Sequence, residues 1–158
     1  MAADSETGKS EFGQANGQFA TFLLSDLLFG VDVLRVQEVL RFQKMTRVPQ
    51  APEVIEGLIN LRGQIVTAID LRRRMGLPPR SGNETPMNMV VRTDDGAVSL
   101  LVDQIGDVLE VEAATYEKPP ENLNPAAREL IQGVYKLKNR LLLVLNAERT
   151  VDVSSWST

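Results

Sequence analysis

Apolar residues come in short runs along this chain, and few of the runs keep a helical period. Phe19 to Leu24 is one run, Ser25-Asp26 interrupts it, and Leu27, Leu28, Phe29 and Val31 resume. That pattern predicts a hairpin of two buried strands. Ile65 to Ile69 is rich in β-branched residues and suits a pleated, partly buried strand. It is entered through an Arg62-Gly63 turn, where glycine permits positive φ without steric cost. Leu58 to Leu61 is the strand leading into that turn. Met87 to Arg92 and Ala97 to Val102 flank Thr-Asp-Asp-Gly, a hairpin signal. Ile105 to Val111 reads as a further strand, and Val134 to Leu137 with Leu141 to Leu145 as a last hairpin.

Helical signals are few and short. Asp32 is placed to cap a turn in which Val33, Val36 and Leu40 share a face. Pro52 to Glu56 reads as one helical turn ended by Gly57, and Asn124-Pro125 opens a helix ending at Gly133. Asn146 caps a last helix running through Val151. Arg72-Arg73-Arg74 closes a short turn before Gly76, with its side chains expected in solvent. Pro49 and Pro52 stiffen a connector, and the loop LPPRSGNETP is expected to divide the domain into two halves. Residues 1–17 read as a flexible tail and residues 18–153 as a single domain. The expected fold is all-β: two small barrels or sheets packed together, with a few short helices.

Composition narrows the chemistry. With 158 residues and 43% hydrophobic content the chain can bury the core of one ordinary domain. No run approaches the ~18 apolar residues that cross a bilayer, and no secretory signal opens the chain, so direct membrane insertion is not expected and the cytoplasm is the default. There is no cysteine and no histidine. This removes disulfides, thiolate chemistry, the commonest general base and the commonest transition-metal ligand. A net charge of -4 speaks against general nucleic-acid binding. No phosphate loop occurs, and Asp94-Asp95-Gly96 lacks the rest of a calcium loop. Glu110 and Glu112 read as a solvated strand face. No catalytic residue, metal or cofactor is expected, and the chain does not read as an enzyme.

Three residues carry open alternatives. Val36 and Glu38 diverge if the segment is helical and share a face if it is extended. The spacing reads Val36 as core and Glu38 as a solvated charge. Arg62 reads equally as a solvated turn residue or as a contact held out on a rigid hairpin.

Five segments together resemble the CheW family of bacterial chemotaxis adaptors. They are FGVDVLRVQEVLR (29–41), VPQAPEVIEGLINLRGQIV (48–66), IDLRRRMGL (69–77), LLVDQIGDVLEV (100–111) and IQGVYKLKNRLLLVLN (131–146). One departure is Thr67, where the family usually has proline; it frees a backbone N–H for a strand ladder. The resemblance implies two SH3-like five-stranded β-barrels sharing a core. It also implies a non-catalytic adaptor at receptor arrays, coupling the cytoplasmic tip of a methyl-accepting chemoreceptor to the regulatory domain of the histidine kinase CheA. It assigns receptor contact to Val36, Glu38 and Arg62, with Val31 and Val102 as further candidates for an apolar groove. For the kinase-facing surface it suggests Met45, Arg47 and Leu58. The alternatives are a CheA regulatory-domain-like fragment and a small β-barrel module for another signalling partner; a chain of this length leaves no room for a receiver domain.

Overall fold

The computed structural model describes residues 17–152, so the expected tail, apart from Gly17, and residue 153 lie outside the described residues. The chain begins with β1 (Gln18–Leu24) and β2 (Leu27–Asp32), passes through a 3-10 turn, η1 (Val33–Arg35), and continues as β3 (Val36–Leu40), β4 (Ile55–Leu61) and β5 (Gln64–Asp70). After helix α1 (Leu71–Arg74) come β6 (Met87–Thr93), β7 (Gly96–Val102) and β8 (Gln104–Glu110). The rest is the 3-10 turn η2 (Ala113–Thr115), β9 (Tyr116–Glu117), α2 (Pro125–Leu130), β10 (Ile131–Lys136), β11 (Leu141–Leu145) and α3 (Ala147–Val151).

The strands form two sheets, ordered β8-β1-β2-β11-β10-β9 and β3-β6-β7-β5-β4. These are the two SH3-like subdomains, the first carrying the two-residue β9 as a sixth strand. They do not divide at the proline-rich loop after Gly76. The chain leaves the first sheet at η1, builds the whole second sheet, and returns at β8. The loop 77–86 therefore lies inside the second subdomain, where parallel β5 and β7 need a crossover longer than a tight turn.

Three clusters of buried side chains explain why the apolar runs are continuous rather than alternating. Phe19, Leu28, Tyr135, Leu142 and Val144 cluster within the first sheet, and Ile59, Leu61, Val66 and Val90 within the second. Phe22, Leu24, Phe29 and Val31 from one sheet meet Met89, Val91, Leu100 and Val102 from the other in a shared core. Successive side chains on a strand point to opposite faces, so a strand with a core on each side is apolar at every position. Leu142 and Val144 face one core while Leu143 and Leu145 face the other.

Several local expectations hold. Asp32, Asn124 and Asn146 each cap the following turn, accepting from Leu34 N, Ala127 N and Arg149 N. Thr67 sits in an interior strand between Leu58 and Val98, where proline would remove a ladder donor. Other expectations are overturned. Pro52 to Glu56 forms a turn with Ile55 N donating to Pro52 O, and β4 has already begun at Ile55. Helix α2 ends at Leu130, and Gly133 lies within β10, where an added Cβ would fall 2.5 Å from the Tyr116 ring. The arginine run is engaged internally. Arg72 pairs with Asp103, Arg73 reaches Glu53 O, and Arg74 is buried, donating to the carbonyls of Arg149, Thr150 and Asp152. Burial pulls the Arg74 pKa below the ordinary guanidinium range, and the bonded carbonyls are what make the position tenable.

Candidate protein-interaction site

The second sheet has two edges, β3 and β4, which are linked across the open side of the barrel by the connector after β3 and by one ion pair. The connector after β3 reaches β4 through a two-way bridge: Thr46 N donates to Leu58 O at 2.9 Å and Leu58 N to Thr46 O at 2.8 Å. Gly57 makes this approach possible, because a Cβ there would fall 2.8 Å from Thr46 O and 3.0 Å from Met45 Cβ.

Arg62 stands at the tip of the β4–β5 hairpin. Arg62 and Gly63 adopt φ of +52° and +88°, so both central residues of the two-residue loop meet the positive-φ requirement of a type I′ turn. Asn60 Oδ1 accepts from Gly63 N at 2.9 Å and braces the loop. Sequence reasoning assigned the unusual backbone to Gly63 alone; Arg62 shares it. From this tip the guanidinium crosses the seam and donates from Nη2 to Glu38 Oε2 on β3. The Arg62 bond holds the Glu38 carboxyl below the usual glutamate range against the opposing effect of burial, with a further bond from Gln37 Nε2 adding to it. Glu38 is thus a paired acid rather than a free solvated charge, while Arg62 remains 70% exposed in its side chain.

Val36 and Glu38 lie in one strand yet face different ways. Val36 is opposite Val91 and Glu38 is opposite Val90, so a bulge lies between them. Side chains directly opposite in an antiparallel pair share a face. Val36 therefore turns with Val91 toward the shared core, and Glu38 turns with Val90. The helical face expected for Val33, Val36 and Leu40 is broken, since Leu40 packs against the interior of the second barrel. Val36 is half-buried, and Val39, on the same side, is 39% exposed, so β3 leaves an apolar rim open where the shared core meets solvent.

Val31 and Val102 do not line that rim. They are 1% and 0% exposed within the shared core, sealed between the sheets, and offer no surface to a partner. Met45, Arg47 and Leu58 come together at the closing seam. Met45 is half-buried against the barrel interior, Arg47 is exposed, and Leu58 makes the backbone bridge. Sequence reasoning missed Leu34, which is 70% exposed on η1 just before Val36. Its only signal was an apolar residue beside the Asp32 cap.

A second charged cluster ties the subdomains together. Asp103 accepts from Arg72 Nε and Nη2, from Arg80 Nε and from Ser25 N in the β1–β2 turn. Burial alone would raise the Asp103 pKa, but these donors prevail and hold it below the usual carboxylate range. Among the described residues no group of acidic side chains is arranged to hold a metal ion, and no helix is long and apolar enough to cross a membrane.

Comparison with known proteins agrees with this architecture. The sequence matches the family model described as CheW-like domain over residues 18–154. It is 33% identical to the chemotaxis protein CheW of Klebsiella aerogenes over 138 residues, covering 87% of this chain and 83% of that protein. It is 30% identical to the chemotaxis protein CheW of Bacillus subtilis over 155 residues, covering 98% of this chain and 94% of that one. Among solved structures, the scaffolding protein TtCheW from Thermoanaerobacter tengcongensis aligns with a TM-score of 0.78 at 27% identity, over 90% of this chain and 97% of that chain.

Proposed function

The chain belongs to the CheW-like domain family, and we propose that it serves chemotaxis as a non-catalytic adaptor, coupling the cytoplasmic tip of a methyl-accepting chemoreceptor to the regulatory domain of the histidine kinase CheA. The observation that carries this reading is the pairing, along β3, of the apolar rim of Val36 and Val39 on one face with the Glu38–Arg62 ion pair on the other. An apolar rim lies beside an ion pair whose arginine is largely exposed. That combination suits an amphipathic helix, which lays apolar residues along a groove and meets a charge at its edge. Receptor tips of this kind are α-helical hairpins. Arg62 then offers its remaining donors to a carboxylate or to helix carbonyls, while Glu38 keeps it aimed.

The kinase-facing surface is assigned to the seam around Met45, Arg47 and Leu58. A backbone bridge closes the barrel there beside exposed Phe42 and Val48. The place of action is the cytoplasm, at the receptor array.

The test is a pair of binding measurements on the purified chain, one with a receptor cytoplasmic fragment and one with a CheA regulatory domain. Binding to both, with receptor binding lost in Arg62→Ala while the fold survives, is the expected result. Binding to neither overturns the assignment.

A further inference from the structure

Leu34 lies within the turn that precedes Val36, and no side chain of that turn is anchored in the core. The 3-10 turn η1 contains no buried residue, although it is the point at which the chain crosses from the first sheet to the second. Polar bonds hold it instead. Arg35 Nη1 donates to Glu148 Oε2 at 2.5 Å and to Arg92 O at 3.2 Å. Arg92 Nη2 returns a bond to Leu34 O at 3.0 Å. Glu148 Oε2 also accepts from Asp94 N at 2.9 Å, in the turn between β6 and β7.

Glu148 belongs to α3, which follows the last strand of the first sheet. One carboxylate oxygen therefore ties three places: the C-terminal helix, the crossover turn and a hairpin of the second sheet. An isolated pair at this exposure, 37% for Arg35 and 34% for Glu148, contributes little to stability. Here the shared oxygen sets where a segment without buried anchors sits, and Val36 is the next residue.

We propose that Glu148 is a positioning residue for the receptor-facing rim, clamping η1 through Arg35 so that Leu34 and Val36 are held where a receptor helix meets them. This rests on the adaptor reading above. Neither residue of the clamp is needed to touch the partner itself.

The test uses the full chain and titrates a receptor cytoplasmic fragment and a CheA regulatory domain against Glu148→Gln, Arg35→Gln, the double variant and Val36→Ala, with Arg62→Ala alongside. Glu148→Gln keeps the side chain's size and removes its charge. It is expected to weaken receptor binding about fivefold, the scale of one partly exposed pair, with kinase-domain affinity and melting temperature unchanged. The double variant should bind no worse than either single one, because both remove the same clamp. Glu148→Gln combined with Val36→Ala should be non-additive, a result that general destabilisation does not produce. Unchanged receptor affinity in Glu148→Gln, or an equal loss toward both partners, overturns the clamp. If Arg62→Ala weakens receptor binding and Glu148→Gln does not, the clamp alone fails; if neither matters, the receptor-facing assignment fails with it.

Discussion

Arg62 and Glu38 are 24 residues apart in the chain and are joined by a hydrogen-bonded ion pair across the closing seam of the second barrel. The arginine is aimed by a hairpin whose two central residues have positive φ, and the glutamate by a bulge that turns it away from Val36. Two local backbone irregularities thus produce one long-range contact.

Because that pair is largely exposed on the arginine side, it adds little to folding. Arg62→Ala is expected to leave unfolding stability close to that of the parent chain while abolishing most receptor-fragment binding. Chemical denaturation and calorimetric titration measured on the same sample separate the two effects. A large stability loss would make Arg62 a structural closure residue instead.

Acidification should act on the same pair. The folded-state pKa of Glu38 lies below its ordinary value of 4.5, so the pair is complete above 4.5 and is lost as pH falls through the depressed folded value. Receptor affinity is expected to hold steady from neutrality down to pH 4.5 and to fall as the pH passes through the depressed folded value. In Glu38→Gln this component of the acid dependence should be missing.

Asp103 carries a larger share of stability. It is 15% exposed in its side chain and accepts from three elements, so its removal strands two nearly buried guanidinium groups. Asp103→Ala is expected to cost about 3 kcal/mol. Its folded pKa is held below the ordinary 3.8, so its contribution is fully present above 3.8 and disappears as pH falls through the depressed value. Urea midpoints taken at successive pH values should show a shallower acid limb in Asp103→Asn than in the parent chain.

Gly57 offers a test of the kinase-facing seam. A methyl group there meets Thr46 O at 2.8 Å, and that oxygen belongs to the bridge with Leu58. Gly57→Ala should cost about 2 kcal/mol, the scale of overpacking, and weaken binding to the CheA regulatory domain more than binding to the receptor fragment. Equal losses toward the two partners would place the seam outside the kinase surface.

Val31 and Val102 separate core from contact. Truncating either leaves a cavity in the shared core, so Val102→Ala should lower stability by about 2 kcal/mol and weaken both partners only as far as it unfolds the chain. Val36→Ala, at a half-buried rim, should cost less stability and reduce receptor binding selectively. Thermal unfolding curves read beside the two affinities would show whether the three valines sort this way.

The local elements of this protein were legible in its sequence because their causes are local. Short apolar runs broken by Ser25-Asp26, Arg62-Gly63 and Asp94-Asp95 marked the hairpins, and Asp32, Asn124 and Asn146 marked the starts of turns and helices through bonds to backbone two or three residues on. The five family segments, in order, were enough to indicate the fold. What the sequence could not show depends on partners far away in the chain. A strand apolar at every position does not say which of its faces meets which core, and Val31 and Val102, which the resemblance suggested as groove lining, are each covered by the sheet opposite. The bulge between Val36 and Glu38 exists only against Val90 and Val91, and Gly133 looked like a helix stop until Tyr116 lay over it. The arginine run looked solvated until Asp103 and the carbonyls of α3 engaged Arg72 and Arg74. Glu148 and Arg35 lie 113 residues apart and share no pattern. Period and capping are written in neighbouring residues, whereas facing and pairing are decided by whichever segment the folded chain brings alongside.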